Sequence, residues 1–411
     1  MRETTNEQFL ADFQAMSANG ATPGGGVERQ AASEGDNLNR AWFHEVLESL
    51  GARVIYDEIG NQYGLFELVP GADYVGLGSH LDSQPLAGRF DGAYGVLAAA
   101  HAAGRVAQSG VDARYNLAVI NWFNEEGSRF APSMMGSSVF TGVLALSDAQ
   151  SVTDLAGVTV AQAQEEAGWA PREEAPTLAA YAEIHVEQGK ELEAAGNTIG
   201  LVTATWGARK FQAVVSGEQG HTGSTLMADR RDALFGASLI ISAVQRLTRE
   251  FPEGKLQASV SQLTLEPNSP VTIAREVRFN VDLRSPSSEV LSQAQEKLRE
   301  LIAAAEEESR TSVALDLTHE WALNPYPDAG VQLAREVVEE LGYPHQEIYT
   351  VAGHDSTNLK EFVPTVMLFI PSKDGISHNE KEFTTESDCV AGLDVLTHVT
   401  RRLVVSGCGE S

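Results

Sequence analysis

Apolar stretches with the texture of buried strands alternate with helical segments along most of the chain, and this alternation constrains the fold more than any other feature. After Val54 the strand-like runs YVGLGSH and LAVINWF flank an Ala-rich helical segment that follows Asp91. Buried apolar strands that alternate with helices are typical of a largely parallel, doubly wound sheet. The sequence therefore predicts an α/β fold.

The pattern changes within residues 208–322, where the predicted order is strand, helix, strand, strand, helix, strand. This β-α-β-β-α-β order is that of a ferredoxin-like α+β domain. Ser285-Pro286 is expected to open the second helix, with Ser285 as N-cap and Pro286 as the first helical residue. The sequence thus predicts a discontinuous first domain, 1–207 and 323–411, interrupted by a smaller second domain.

Length and charge exclude several classes of function. The 411 residues suit two domains better than one, and 57 Asp and Glu against 29 Lys and Arg give a net charge of −28. Such a field repels nucleic acid phosphates and anionic lipid, so neither is expected as a partner. No apolar run reaches membrane-span length, the first residues lack a signal-peptide core, and two cysteines imply no disulfide framework. We therefore expect a cytoplasmic protein that acts on a small molecule.

Imidazole and carboxylate groups follow the predicted strands of the first domain. His80 and Asp82 end one strand, Asp91 opens the following helix, and Glu125 and Glu126 end the next strand. The ligand crevice of an open parallel sheet lies beyond the carboxyl ends of its strands, so these side chains are expected to converge.

Two further histidines, His185 and His378, have unusual polar surroundings in EIHVEQG and GISHN. Any one of these clusters alone could be structural, for example a hydrogen-bonded His and Asp or a solvated acidic loop. Together they suit a borderline divalent cation, because imidazole and carboxylate are its common ligands. A carboxylate that bridges two such ions is typical of paired-metal hydrolases.

Six motifs carry a more specific resemblance. In chain order they are GSHLDSQPLAGRFDGAYGVLAA, NEEGSRFAPSMMGS, AEIHVEQGKELE, GEQGHTGSTLMADRRDAL, GHDS and FIPSKDGISHNEKEFT. The chain from about Gly24 to Leu403 resembles the M20-type amidohydrolases. Within that group it is most similar to N-carbamoyl-L-amino-acid hydrolases, bacterial-type β-ureidopropionases and allantoate amidohydrolases. The resemblance implies a metal-binding domain that is split in sequence around a dimerisation or lid domain.

The resemblance also implies a ligand set for two divalent ions, either zinc or manganese, cobalt or nickel. Asp91 would bridge the two ions. His80 and His185 would complete the shell of one ion, and Glu126 and His378 that of the other.

Further roles follow from the same resemblance. Glu125 would be the general base, and the carboxylate of Asp82 would orient an imidazole ligand, although a strand-end cap is the alternative for Asp82. His221 would stabilise the oxyanion and would enter the site from the partner of a homodimer. Substrate contacts are implied at Gln188, Arg284 and His354.

The second domain departs from the family pattern at Val271, where relatives carry an asparagine that helps an arginine hold the substrate carboxylate. Valine cannot form that hydrogen bond. Either the substrate preference differs, or Pro270 rearranges the loop so that Asn268 takes over.

The resulting hypothesis is metal-dependent hydrolysis of a linear ureido C–N bond in an N-carbamoyl amino acid or a related compound, with release of ammonia, carbon dioxide and an amine. A deacylase of N-acyl amino acids is the enzymatic alternative, and a non-catalytic binding protein is the alternative from another class. Glu125 argues against the latter, because a binding protein needs no general base. Ammonia release separates the two enzymatic hypotheses.

Overall fold

The computed structural model describes residues 2–408, which contain fifteen strands and twelve α-helices. The strands are β1 Arg53–Tyr56, β2 Gln62–Phe66, β3 Tyr74–His80, β4 Asn116–Trp122, β5 Leu178–Val186, β6 Ile199–Thr205, β7 Gly207–Ser216, β8 Gly220–His221, β9 Gln257–Glu266, β10 Thr272–Ile273, β11 Glu276–Ser285, β12 Ser312–Trp321, β13 Asn324–Pro325, β14 His345–Thr350 and β15 Thr365–Ile370. The helices are α1 Asn6–Ala18, α2 Glu34–Leu50, α3 Ala93–Gln108, α4 Met135–Phe140, α5 Leu146–Ser151, α6 Val160–Ala167, α7 Glu191–Ala195, α8 Ala233–Leu247, α9 Ser288–Ser309, α10 Asp328–Leu341, α11 Asp355–Leu359 and α12 Glu386–Ser406.

The chain divides into two compact units. One comprises Met1–Thr203 and Tyr326–Ser411, and the other comprises Ala204–Pro325. Each unit has its own cluster of buried apolar side chains. No helix within residues 2–408 is both long and apolar enough to cross a membrane.

A mixed nine-stranded sheet forms the centre of the first unit, with the strand order β1-β2-β4-β3-β5-β15-β6-β13 and β14 beside β6. The four neighbouring strands β4, β3, β5 and β15 are parallel, as the alternating pattern predicts. The flanking pairs β1 with β2, β2 with β4, and β15 with β6 are antiparallel. The parallel core aligns the carboxyl ends of β3, β4 and β5 at one edge of the sheet.

Local sequence explains the helices that pack on this sheet. Helix α2 begins after Ser33, whose side chain accepts the N–H of Asp36, and ends at Gly51 in the left-handed conformation with φ 100°. Helix α3 is rich in alanine and almost entirely buried, since it packs between the sheet and α12. Small side chains allow this close approach on both sides.

The second unit contains a four-stranded antiparallel sheet of order β12-β7-β11-β9, with α8 and α9 packed on it. The order of its main elements is the predicted β-α-β-β-α-β plan, with the two-residue strands β8 and β10 added. The predicted start of α9 is wrong. Ser285 is the last residue of β11 and its hydroxyl donates to the carbonyl of Lys255, so Ser287 is the N-cap and accepts the N–H of Val290 at 3.3 Å.

Candidate metal centre

The sheet topology gathers the polar side chains that follow its parallel strands. His80 is the last residue of β3 and His185 is the penultimate residue of β5, while Glu125 and Glu126 come shortly after β4. Because β3 pairs with both β4 and β5 in parallel, these side chains meet at the carboxyl edge of the first unit. Four of the predicted site residues therefore share one location.

Asp91 enters the same location from the turn before α3. Its Oδ1 lies 3.5 Å from His80 Nε2 and 3.1 Å from His185 Nε2, and its Oδ2 lies 3.3 Å from His378 Nε2. The next residue, Gly92, has φ 62°, and a Cβ there would lie 2.3 Å from His80 Cε1. Glycine is needed because the turn passes directly against the imidazole.

The potential ligand atoms form two groups that share Asp91. One group contains His80, Asp91 and His185, and the other contains Asp91, Glu126 and His378. Glu126 Oε2 lies 3.3 Å from His378 Nε2. Glu125 belongs to neither group, although its Oε2 lies 3.5 Å from His80 Nε2.

Hydrogen bonds at Nδ1 set the tautomers of two of these histidines. His80 Nδ1 lies 3.0 Å from the carbonyl oxygen of Asp82, and His185 Nδ1 lies 2.8 Å from that of Val186. A carbonyl can only accept, so Nδ1 carries the hydrogen in both rings. Nε2 of each ring is then the nitrogen that faces Asp91 and can serve as a metal ligand.

The spacing and the chemistry of the donors both fit divalent cations. Tetrahedral ligands at about 2.0–2.1 Å from an ion lie about 3.3 Å from one another. The separations of 3.1–3.5 Å between the Asp91 oxygens and the imidazole Nε2 atoms match that value. The residues present therefore suit the divalent metals that the sequence predicts.

Electrostatics at the site favour added positive charge. Burial, followed by the charges of Asp355 and Glu126, raises the pKa of Glu125 well above its usual range. Burial and the charge of Asp91 raise the pKa of Glu126 to about 7. Burial lowers the pKa of His378, but the hydrogen bond to Asp91 and nearby carboxylates outweigh it and raise the value to about 9. Carboxylates crowded in this way are stabilised by a cation among them.

The carboxylate of Asp82 does not hold the imidazole in the way that the sequence suggests. Its nearest oxygen is 3.8 Å from His80 Nδ1, and the backbone carbonyl of Asp82 takes that hydrogen bond instead. Asp82 Oδ1 accepts the N–H of Glu125 at 3.1 Å and Oδ2 accepts the N–H of Glu126 at 3.2 Å. The side chain thus fixes the backbone of the two glutamates.

Gln188, a predicted substrate contact, binds Asp91 in this structure. Its Nε2 donates to Asp91 Oδ2 at 2.7 Å and lies 3.1 Å from Ser377 Oγ, which itself donates to Asp91 Oδ2 at 2.9 Å. Gln188 Oε1 is buried and has no hydrogen-bond partner within residues 2–408. That oxygen is the atom through which Gln188 could accept a hydrogen bond from a substrate N–H.

His354 packs against the back of the candidate metal centre. Its ring centroid lies 4.5 Å from that of His185, and its Nε2 lies 3.1 Å from Thr350 Oγ1. The side chain is buried, and its role as a substrate contact stays a prediction.

Two side chains that the sequence did not single out contact the potential ligands or the backbone that carries them. Gln84 Nε2 donates to Glu126 Oε2 at 2.9 Å, and Glu382 Oε2 accepts the N–H groups of Phe90 and Asp91. Both lie within the motifs of the family resemblance, but nothing in their spacing indicates which backbone groups they meet.

His221, Arg284 and Val271 belong to the second unit. His221 Nδ1 accepts the N–H of Gly223 at 2.9 Å and lies 3.2 Å from the N of Ser224, so Nε2 carries the ring hydrogen and is a donor. His221 stands opposite Thr272 in the β8–β10 ribbon, next to Val271, which is 59% exposed.

Arg284 lies on the polar face of β11, opposite the buried Phe279, Val281 and Leu283. Its guanidinium is engaged there, because Nε and Nη2 donate to the carboxylate of Asp282 at 2.7–3.2 Å. Asp282 therefore competes for the donors that Arg284 would offer to a substrate carboxylate, and the role of Arg284 as a substrate contact stays a prediction.

An α/β domain in which two groups of histidines and carboxylates share one aspartate is typical of paired-metal hydrolases. A sequence model of peptidase family M20/M25/M40 matches residues 76–402, so the chain belongs to that family. It is 32% identical to an N-carbamoyl-L-amino-acid amidohydrolase of Rhizobium meliloti, over 97% of this chain and 96% of the relative. It is 31% identical to an allantoate amidohydrolase of Bacillus subtilis, over 93% and 94%. An amidase of the hydantoinase/carbamoylase family from Burkholderia vietnamiensis has the same fold, with 35% identity, a TM-score of 0.93 and 98% of both chains covered.

Proposed function

We propose that this chain is a metal-dependent amidohydrolase that cleaves a ureido C–N bond in an N-carbamoyl amino acid or a related small compound. The observation that carries the proposal is the position of Asp91, shared by two groups of metal-ligand type, with Glu125 beside them and in neither group. The names of the two relatives, an N-carbamoyl-L-amino-acid amidohydrolase and an allantoate amidohydrolase, support the choice of bond.

Two divalent ions per chain would be held by the residues of the two groups. His80 and His185 would bind one ion, Glu126 and His378 the other, and Asp91 would bridge them. When bound, such ions polarise a carbonyl oxygen and lower the pKa of water toward about 7. This chemistry is needed because two nitrogens donate electrons into a ureido carbonyl and make it a poor electrophile.

Glu125 would move the proton of the reaction. Its carboxylate takes a proton from the attacking water as the C–O bond forms, and returns it to the amino acid nitrogen as the C–N bond breaks. The products are the free amine and carbamic acid, which decomposes to ammonia and carbon dioxide. The bonds from Asp82 to the N–H groups of Glu125 and Glu126 would keep the base beside the ligands.

The remaining substrate contacts would come from both parts of the chain. We assign residues 1–207 and 323–411 to the catalytic domain and 208–322 to a dimerisation and lid domain of a homodimer. His221 of the partner subunit would donate from Nε2 to the developing oxyanion, consistent with its tautomer. Gln188, His354 and Arg284 would bind the rest of the substrate.

Ammonia release from a panel of substrates tests this function. Protein reconstituted with zinc or manganese is assayed against N-carbamoyl, N-formyl and N-acetyl derivatives of the same amino acids and against allantoate. We expect ammonia from the ureido compounds, loss of turnover with a chelator, and recovery when metal is added. Acetate release without ammonia would instead support a deacylase, and full turnover by verified metal-free protein would contradict the proposal.

A further inference from the structure

Glu382 is a buried carboxylate next to the candidate metal centre that belongs to neither group of ligand atoms. It follows His378 by four residues. Its Oε2 accepts the N–H of Phe90 at 2.9 Å and the N–H of Asp91 at 3.1 Å. The side chain therefore holds the peptide groups that carry the shared aspartate.

Residues 377–382 consequently contact both the backbone and the side chain of Asp91. Ser377 Oγ donates to Asp91 Oδ2 at 2.9 Å, and His378 Nε2 lies 3.3 Å from the same oxygen. Glu382, at the other end of the segment, binds the N–H of Asp91. Residues 377–382 thus place a ligand of one ion and fix the residue that both ligand groups share.

The packing around Glu382 is fitted to this contact. A Cβ at Gly88 would lie 2.0 Å from Glu382 Oε2, so only glycine leaves room for the carboxylate at its two hydrogen bonds. Glu382 Oε1 is buried without a hydrogen-bond partner within residues 2–408. A buried unpaired carboxylate oxygen costs folding free energy, so stability alone does not account for a glutamate here.

Glu380 provides a contrast within the same segment. Its carboxylate accepts a hydrogen bond from the hydroxyl of Thr22, and the structure shows no bond from it to a backbone N–H of the ligand-bearing turns. Glu380 therefore contacts the loop that contains Thr22, whereas Glu382 binds the backbone of Asp91 in the candidate metal centre.

We infer that Glu382 is a positioning residue for metal binding, which fixes the backbone of Asp91 so that both carboxylate oxygens face their imidazole neighbours. The inference rests on the proposed function, because it takes Asp91 as the bridging ligand. Groups that orient a metal ligand are commonly worth about 10–100-fold in metal affinity.

Zinc affinity of purified variants tests the inference. Apoprotein is titrated with Zn²⁺ against a chromophoric chelator, and the cobalt-substituted forms are compared by their visible spectra. Glu382→Leu, which keeps the size but removes the acceptor, should weaken zinc binding about 10–100-fold and change the cobalt spectrum. Glu382→Gln should restore most of the affinity, since its amide oxygen can accept both N–H groups, and the control Glu380→Gln should match wild type.

Wild-type zinc affinity in folded Glu382→Leu would overturn the inference. If circular dichroism shows that this variant does not fold, Gly88→Ala decides, because the added methyl displaces the carboxylate without removing it: lowered zinc affinity would support the inference and unchanged affinity would refute it. His378→Ala separates this outcome from failure of the proposed function. If wild type binds no zinc, or His378→Ala binds it as wild type does, the metal assignment itself is wrong.

Discussion

Asp82→Asn tests whether a carboxylate that belongs to neither ligand group controls the proposed base of the reaction. Asp82 accepts one backbone N–H with each oxygen, from Glu125 at 3.1 Å and from Glu126 at 3.2 Å. Asparagine keeps one acceptor and turns an N–H toward the other backbone donor. The variant therefore loses one hydrogen bond to a charged group, which is worth about 1.5–3 kcal/mol.

If the loss of this hydrogen bond displaces Glu125 from its position beside the candidate metal centre, kcat/KM should drop about 10–150-fold. The assay is ammonia release at saturating metal, so that a change in metal occupancy does not enter the rate. Asp12→Asn is the matched control, since Asp12 is also buried but its carboxylate binds side chains, those of Arg2, Gln8 and, at 2.9 Å, His101. The control is expected to lower the thermal midpoint of unfolding without changing kcat/KM.

Equal kcat/KM in Asp82→Asn and wild type would refute the reasoning. A loss of zinc affinity without a loss of turnover at saturating metal would also refute it, because that pattern would mean that Asp82 supports metal binding, through Glu126 or His80, and not the placement of Glu125.

Three further predictions concern the assigned roles. Glu125→Gln should keep its metal and lose activity about 10²–10⁴-fold, whereas Glu126→Ala should lose metal in elemental analysis; normal turnover by Glu125→Gln would remove it as the base. Mixing inactive His221→Ala subunits with inactive Glu125→Gln subunits should restore part of the activity, and no recovery in hybrids verified by mass would count against a histidine that acts across the dimer. Arg284→Ala should reduce kcat/KM for every carboxylate substrate, and Val271→Asn should raise kcat/KM for plain N-carbamoyl amino acids. If Val271→Asn leaves kcat/KM unchanged, another side chain helps to bind the substrate carboxylate.

The parts of the fold that the sequence predicts are those with strong burial. Strands β3, β4, β5 and β15 are buried on both faces, so their apolar runs indicate a parallel core, and that prediction is confirmed. The antiparallel flanks are not predicted, because short runs such as β1 and β2 carry no signal for strand direction.

The start of α9 shows a different limit of sequence analysis. Ser285 and Ser287 both precede the helix, and a serine before proline is the more familiar opening. The choice is made by a distant group, since the carbonyl of Lys255 binds the Ser285 hydroxyl and keeps that residue in β11. A contact 30 residues away cannot be inferred from local pattern.

The sequence likewise predicts only one part of the candidate site. The sequence names His80, Asp91, Glu126, His185 and His378, and the structure brings their ligand atoms together, while their role as ligands stays a prediction. It does not indicate where the supporting side chains point. The sequence does not show whether a given carboxylate binds an imidazole, a metal ion or a backbone N–H.

That ambiguity applies to the acidic residues of the motifs that belong to neither group of potential ligands. Asp82 and Glu382 each bind two consecutive backbone N–H groups, one beneath the glutamates and the other beneath Asp91. Arg29 is also buried, and burial lowers its pKa to about 10 although the charges of Asp36, Asp82 and Glu382 act to raise it. Burial and neighbouring carboxylates raise the pKa of Asp82 well above its usual range and that of Glu382 to about 7, and the bonds from backbone N–H groups act against this rise. These bonds hold the turns that carry Asp91 and Glu126 in place without any bond to a metal. A site built this way is preorganised, because its proposed ligands are fixed by groups that belong to neither ligand group.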